Sequence, residues 1–363
     1  MKVTRSDVLG LRVRAQQLDR DGGGTLTDTA VLDVGAQDTG PDGALWALAV
    51  RGLTEVDAKD LVWLWTLRGA PHAYRRSDVG SVAAAVAPWS DTDAAKRIFD
   101  ASKPLKAAGI GTVEALDEVA AAMRRVVTSP TVKGDVSSRL AAVMPEPYLR
   151  WCNPCQATHL HEMPFRLAAV RAGLELQPGT SPPVLQRVRG FRVAGHPEAR
   201  HELVRAYLRF LGPSTPQLVA GFLDAPVTEV KARWPDDVVE VDLDGQRRWL
   251  LADDVDLLGP PPATTRLLGP YDLYLQGKDR PLLVHDRAHA KTLWPVIGRP
   301  GAVLHDGEVV GTWRPRTTGR RLRLEVGLWS ARRTARKHVA DQAERLAAHR
   351  GVDLAGVDID RPG

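Results

Sequence analysis

The chain has little of what most enzyme classes and secreted scaffolds require. Two cysteines occur in 363 residues, which excludes a disulfide framework and agrees with a reducing compartment. No stretch approaches the roughly 20 uninterrupted apolar residues of a membrane helix, so no membrane partner is expected. The opening Met1-Lys-Val-Thr-Arg-Ser-Asp7 carries no apolar signal core, and the expected location is the cytoplasm. Gly22-Gly-Gly24 lacks the following Lys-Ser/Thr of a phosphate-binding loop. Nucleophile-elbow and HExxH patterns are also missing, which removes most hydrolase and metalloprotease classes. The tryptophans sit mostly among apolar neighbours (Trp63, Trp65, Trp294) and read as core.

Net charge is modest at +5, with a pI near 9.3, but it is unevenly spread. Between Arg314 and Arg350 eleven Lys/Arg face three Asp/Glu. Such a concentration suits a polyanion, most simply a nucleic-acid backbone. Charge alone leaves a solvated basic helix face equally open.

Apolar spacing predicts helices over residues 4–20, 42–51, 55–67 and 77–87, with another from Thr25 or Thr27 toward Val34. The first hundred residues are therefore expected to be mostly helical. Helices are also predicted over 112–127 and 133–143. The clearest pattern lies at 201–251, where three short helices precede Val238–Leu243, an Asp244-Gly245 turn and Gln246–Leu251. Helices followed by such a hairpin make a winged helix. Its last helix would present Lys231 and Arg233, and its wing Arg247 and Arg248, to phosphates. The same arrangement can also be only a packing module. Residues 120–185 read as a degenerate second copy. From about 264 the pattern turns to strands, at 282–284, 302–304, 309–313 and 321–326, before a basic helix from Ser330 to His349. The expected class is α+β, with tandem winged-helix units, a C-terminal β-rich element and a terminal basic helix. The expected divisions are 1–110, 111–195, 196–262 and 263–363.

The segment Val31 to Arg51 carries the chemistry. An apolar stretch stops at Gly35, presents Gln37 and Asp38, then re-enters a helical pattern around Trp46. A neutral amide beside a carboxylate at such a break can hold a water molecule and accept its proton, without a metal. The alternatives are an amide that caps backbone groups and, for Asp38, a helix N-cap.

Several stretches in order resemble one family. They are Val34-Gly-Ala-Gln-Asp38 with Leu45-Trp-Ala47, Leu67-Arg-Gly-Ala-Pro-His72, and Phe165-Arg-Leu-Ala-Ala169 followed by Gly173-Leu174. Two more follow, Leu267-Leu-Gly-Pro-Tyr-Asp-Leu-Tyr-Leu-Gln-Gly-Lys-Asp-Arg280 and Asp306-Gly-Glu-Val-Val-Gly-Thr-Trp-Arg314. Across roughly residues 5–350 the chain is similar to the bacterial winged-helix DNA-binding family that includes the AlkZ and YcaQ type of DNA glycosylase. The resemblance implies tandem winged helices around a DNA-binding concavity. It also implies excision of alkylated purines by a water positioned on a Gln-x-Gln or Gln-x-Asp pair, with no cofactor.

One departure stands out. The family's first Gln falls on Gly35, which leaves Gln37 as the remaining member of the pair. Asp38 would supply the missing group if the loop turns it inward. Otherwise the protein would be a non-catalytic lesion sensor or regulator. The expected partner is damaged double-stranded DNA, bound by a monomer associated with the nucleoid.

Three further groups complete the list. Arg68 and His72 would contact DNA near the lesion, or else pair locally and close a turn. Cys152-Asn-Pro-Cys155, with His159 and His161, has the compact spacing of a zinc knuckle. A buried cysteine pair, with the histidines at the start of a helix over 162–172, is the other reading, and no metal is expected. Tyr271 to Arg280 offers Lys278 and Arg280 to phosphates, or else forms a core strand with a charged tip.

Overall fold

The computed structural model describes every residue except Pro41, 330–332 and 361–363, and the side chains of Arg333 and Thr334 are also left undescribed. Its helices and sheets fit the α+β expectation. The chain divides into two compact units, each assembled from separated segments. The first comprises 1–56, 206–219 and 235–363, and the second 57–205 and 220–234.

The first unit is built on a five-stranded sheet. Its strands run in the order Thr265–Leu268, Gly301–His305, Glu308–Thr318, Arg321–Leu328 and Asp353–Asp360. The first four strands are antiparallel neighbours, and the last pairs parallel to Arg321–Leu328. Along Arg321–Val326 exposed charges alternate with buried Leu322, Leu324 and Val326, the period-two pattern of a half-buried strand. The basic helix Arg333–Arg350 turns Val339, Ala343, Leu346 and Ala347 into the same core and leaves Lys337, Asp341 and Glu344 exposed. Trp46, on the helix Gly43–Ala49, joins this core and donates its indole N–H to Leu267 O at 2.7 Å.

Arg5–Ala15 is the unit's first helix, after the strand Lys2–Val3, with Thr4 and Asp7 forming a capping box at its start. Its Arg12 is fully buried and bonds both oxygens of Asp279, at 3.1 and 2.7 Å. Arg248 reaches the same carboxylate at 2.7 Å. A second buried pair, Arg51 on Asp272, is bidentate at 2.7 and 2.8 Å. Two fork-shaped guanidiniums on buried carboxylates therefore fix the turn that carries residues 271–280.

In the second unit the strands Leu61–Trp65 and Pro71–Arg75 form an antiparallel pair, and Leu61–Trp65 also pairs with Leu174–Leu176. Val62, Leu64, Tyr74, Val82 and Val170 make its core. Residues 112–187 run helix (Thr112–Val126), short strand (Thr131–Val132), helix (Lys133–Ala141), helix (Glu162–Arg171), then the hairpin Leu174–Leu176 with Val184–Arg187. The short strand pairs with the last hairpin strand. A small separate hairpin, Leu149–Cys152 with Ala157–Leu160, lies between the second and third helices of that run.

Residues 203–251 follow a similar order, without the short strand and the inserted hairpin. Helices Leu203–Leu211, Pro216–Leu223 and Val227–Lys231 precede the hairpin Val238–Leu243 and Gln246–Leu251, with Asp244 and Gly245 both at positive φ in its turn. Ser214, between the first two helices, bridges to Trp249 on the last strand.

Several sequence expectations are corrected. Residues 55–67 contain a strand rather than a helix. Leu61 to Trp65 are all buried, so both faces are covered, and an unbroken apolar run carries no period to separate strand from helix. Residues 282–284 lie in and just after the short helix Arg280–Leu283, with Pro281 in its first turn. The stretch from Thr25 yields only the single turn Ala30–Asp33. The basic helix does not close the chain, because Asp353–Asp360 follows it.

Candidate functional site

Gly35 ends the turn that precedes the polar group. Its N–H donates to Val31 O at 3.0 Å, and its φ is +90°, a conformation that side chains disfavour. Only there does the chain turn from Ala30–Asp33 into Ala36-Gln37. Gln37 is half-buried. Its Nε2 donates to Thr39 Oγ1 at 3.1 Å, while its Oε1 accepts from Gln276 Nε2 at 3.3 Å. Gln276 also donates to Tyr271 O at 3.0 Å, which holds its amide toward Gln37. Two glutamine amides thus meet, although 239 positions separate them in sequence.

Asp38 has a different placement. Its Oδ1 accepts from the Ala44 N–H at 2.8 Å and so caps the start of Gly43–Ala49. Gly43 is needed for this arrangement: a Cβ there would stand 1.9 Å from Asp38 Oδ1, and its φ is +44°. Asp42 is held by Arg350. Gln37, Thr39, Asp42, Tyr271 and Asp272 line a small concavity. The Arg299 guanidinium lies 5.2 Å from the centre of the Tyr271 ring. Lys278 and Arg280 are exposed on the adjoining turn. Burial, and then the neighbouring Arg299 charge, lower the Arg280 pKa.

The expected strand over Tyr271 to Arg280 is instead the turn Leu273–Gln276 followed by the start of Arg280–Leu283. The two hairpin arginines also separate. Arg247 is exposed and pairs with Glu240 at 3.1 Å. Arg248 is buried on Asp279, so its side chain anchors the hairpin rather than facing solvent.

In the second unit Lys231 is exposed, and Arg233 pairs with Glu229 at 2.7 Å while lying over the Trp89 ring. Arg68 adopts a left-handed backbone (φ +57°) and lies 4.5 Å over the Phe222 ring, with its guanidinium donating to Phe222 O. With Trp65, Met163 and Leu223 it lines an apolar pocket. His72 is buried, with Nδ1 3.0 Å from both Thr66 Oγ1 and Ala70 O. Burial first, and then the Arg68 charge, push its pKa down to about 3, so it is neutral at physiological pH. Its placement is that of a core turn residue, not a phosphate contact.

Cys152, Cys155 and His159 come together on the small hairpin, with their ligand atoms all within 4.8 Å of one another. Neither cysteine is buried, which corrects the reading of a buried pair. His161 stands outside the group and is buried at the start of Glu162–Arg171.

Gln276 is the residue that sequence reasoning missed. It lies within the quoted stretch Tyr271 to Arg280, and that stretch was the one available signal.

No helix among the described residues is long and apolar enough to cross a membrane. No curated protein matches the chain. Its fold is similar to that of the Streptomyces sahachiroi DNA glycosylase AlkZ. The TM-score is 0.72 at 19% identity, covering 99% of this chain and 100% of that one. A family model described as DNA glycosylase AlkZ-like matches residues 46–349. With most of its length so matched, the chain belongs to the AlkZ-like DNA glycosylase family.

Proposed function

We propose that this protein binds damaged duplex DNA and hydrolyses the N-glycosidic bond of alkylated purines. The meeting of Gln37 and Gln276 carries the reading. The family's first glutamine is Gly35 here, and Gln276 supplies a second amide from elsewhere in the chain. The Gln37 carbonyl has a second lone pair beyond the one Gln276 occupies. That lone pair accepts a hydrogen bond from a water and aims its oxygen at the sugar C1′. The C1′–N bond breaks with its electron pair passing to the purine, and the water's proton goes to solvent. An N7- or N3-alkylated purine already carries positive charge and leaves neutral, so a weak base suffices. Asp38 is assigned to holding the loop through Ala44 rather than to taking the proton.

Each of the two runs, 112–187 and 203–251, has three helices followed by a hairpin; a short strand, Thr131–Val132, lies on the hairpin's last strand in the first run, and the single bridge Ser214–Trp249 takes that place in the second. This order supports the tandem winged-helix reading. Lys231, Arg233, Arg247, Lys278 and Arg280 are the phosphate contacts proposed, because exposure leaves them able to reach a backbone. Arg68 is kept as a contact beside its apolar pocket. His72 and Arg248 are assigned to structure.

The test is base release from duplex DNA carrying 7-methylguanine and, separately, a bulky N7 purine adduct. Gln37→Ala and Gln276→Ala should each slow release by on the order of 10²-fold, the usual loss for one positioned polar group. No release by the wild type, with salt-sensitive DNA binding intact, would favour the second reading. That reading is a non-catalytic lesion sensor, and the absent side chain at Gly35 is the observation behind it.

A further inference from the structure

We propose that Cys152, Cys155 and His159 form a zinc site that staples the hairpin Leu149–Cys152/Ala157–Leu160 between two helices of the second unit. The two thiols and the imidazole lie within 4.8 Å of one another, and a tetrahedral ion at the ordinary Zn–S and Zn–N bond lengths would draw them to roughly 3.5–3.8 Å, a small side-chain movement. The donor set selects the metal. Two thiolates with one imidazole suit a borderline-soft ion such as Zn²⁺ and do not suit Mg²⁺ or Ca²⁺.

The hairpin supplies the geometry. Cys152 ends its first strand, Cys155 lies in the turn, and Gln156 at φ +50° reverses the chain into Ala157–Leu160, which carries His159. Ser137 Oγ lies 3.2 Å from His159 Nδ1. The hydroxyl thereby fixes the ring and leaves Nε2 as the metal-binding nitrogen, the usual partnership around a ligating histidine. Ser137 belongs to the helix Lys133–Ala141, so the contact ties the hairpin to that helix. The next helix, Glu162–Arg171, is tied to the same one by Lys133 on Glu162 at 2.8 Å. The fourth position belongs to water, because the partly exposed cluster opens to solvent.

A covalently unbridged hairpin of four-residue strands is marginal by itself. Its Trp151 stands 57% exposed, so little apolar burial holds it. Binding Zn²⁺ would deprotonate both thiols, release two protons to solvent and convert the hairpin into a rigid connector. Its rigidity would fix how the two flanking helices are presented. This inference does not depend on the glycosylase reading.

The experiment uses the untagged full chain, reduced, stripped of metal and then titrated with Zn²⁺, with Co²⁺ as the spectroscopic probe. The expected result is uptake of one ion per chain. Thiolate-to-cobalt charge-transfer absorption should appear, and both cysteines should be protected from thiol reagents when zinc is present. Cys155→Ser and His159→Ala should abolish the protection while circular dichroism shows the fold retained. Ser137→Ala should weaken Zn²⁺ binding by about tenfold through the loss of ring orientation. Two outcomes would overturn the proposal. One is a folded, reduced chain that takes up no zinc. The other is uptake unchanged by the cysteine and histidine substitutions. A Cys152–Cys155 disulfide in the protein as isolated, with no zinc taken up after reduction, would assign the pair to redox chemistry instead.

Discussion

At the scale of the residue, position 35 decides how the site is built. An amide there would complete the pair the family resemblance implies, but the backbone stands at φ +90°. A side chain in the left-handed region costs roughly 1–2 kcal/mol. Gly35→Gln should therefore lower the melting temperature and fail to raise base release. A stable variant with faster release would show that Gln276 does not serve as the second amide. His72 illustrates how a polar residue quoted in a motif can be structural. In the folded chain it takes a proton only near pH 3, whereas its ordinary value is 6.5. The unfolded chain thus binds the proton first, and stability falls as pH drops through that window while remaining intact above it. His161 and His349 are lowered too, each first by burial, and add to the same slope. Thermal unfolding followed from pH 7 to 5 should show the decline, and His72→Asn should make it shallower. An unchanged slope in that variant would place the proton uptake elsewhere.

At the scale of the element, legibility followed periodicity. The hairpin at 238–251 was readable because Asp244-Gly245 demands positive φ at both positions and leaves few alternatives to a tight turn. The alternating Arg321–Val326 strand was readable for the same kind of reason. Leu61–Trp65 was not, since a strand covered on both faces loses its alternation. The strand Asp353–Asp360 was missed because its apolar residues are few and only half-buried. In the candidate site, Gln37 was found from the break at Gly35, and Asp38's capping alternative proved to be its placement. Gln276 was invisible because no local pattern links residues so far apart. The reach of each exposed cation can be tested at this scale. Lys231→Ala and Arg247→Ala should each weaken duplex binding about equally across sequences. Each should also reduce the slope of log affinity against log salt by about one. Arg248→Ala would change stability rather than that slope.

At the scale of the whole molecule, charge inside the first unit does structural work that a linear reading assigns to a surface. Asp279 is buried between Arg12 and Arg248, and Arg12 also donates to Leu211 O and Gly212 O. The opening helix, the end of Leu203–Leu211, the hairpin and the 271–280 turn thus share one carboxylate. Removing it strands two buried guanidiniums, and loss of one partner from a buried pair typically costs about 3–5 kcal/mol. Asp279→Ala should destabilise by that order in urea unfolding, and an effect below about 1 kcal/mol would show that the cluster is well solvated.

The most direct measurement is a double-mutant cycle on single-turnover release of 7-methylguanine, using wild type, Gln37→Ala, Gln276→Ala and the double variant. If the two amides act as one water-holding unit, each single substitution should cost nearly as much as both together. Losses that multiply independently, or a Gln276→Ala enzyme as fast as wild type, would contradict the shared site.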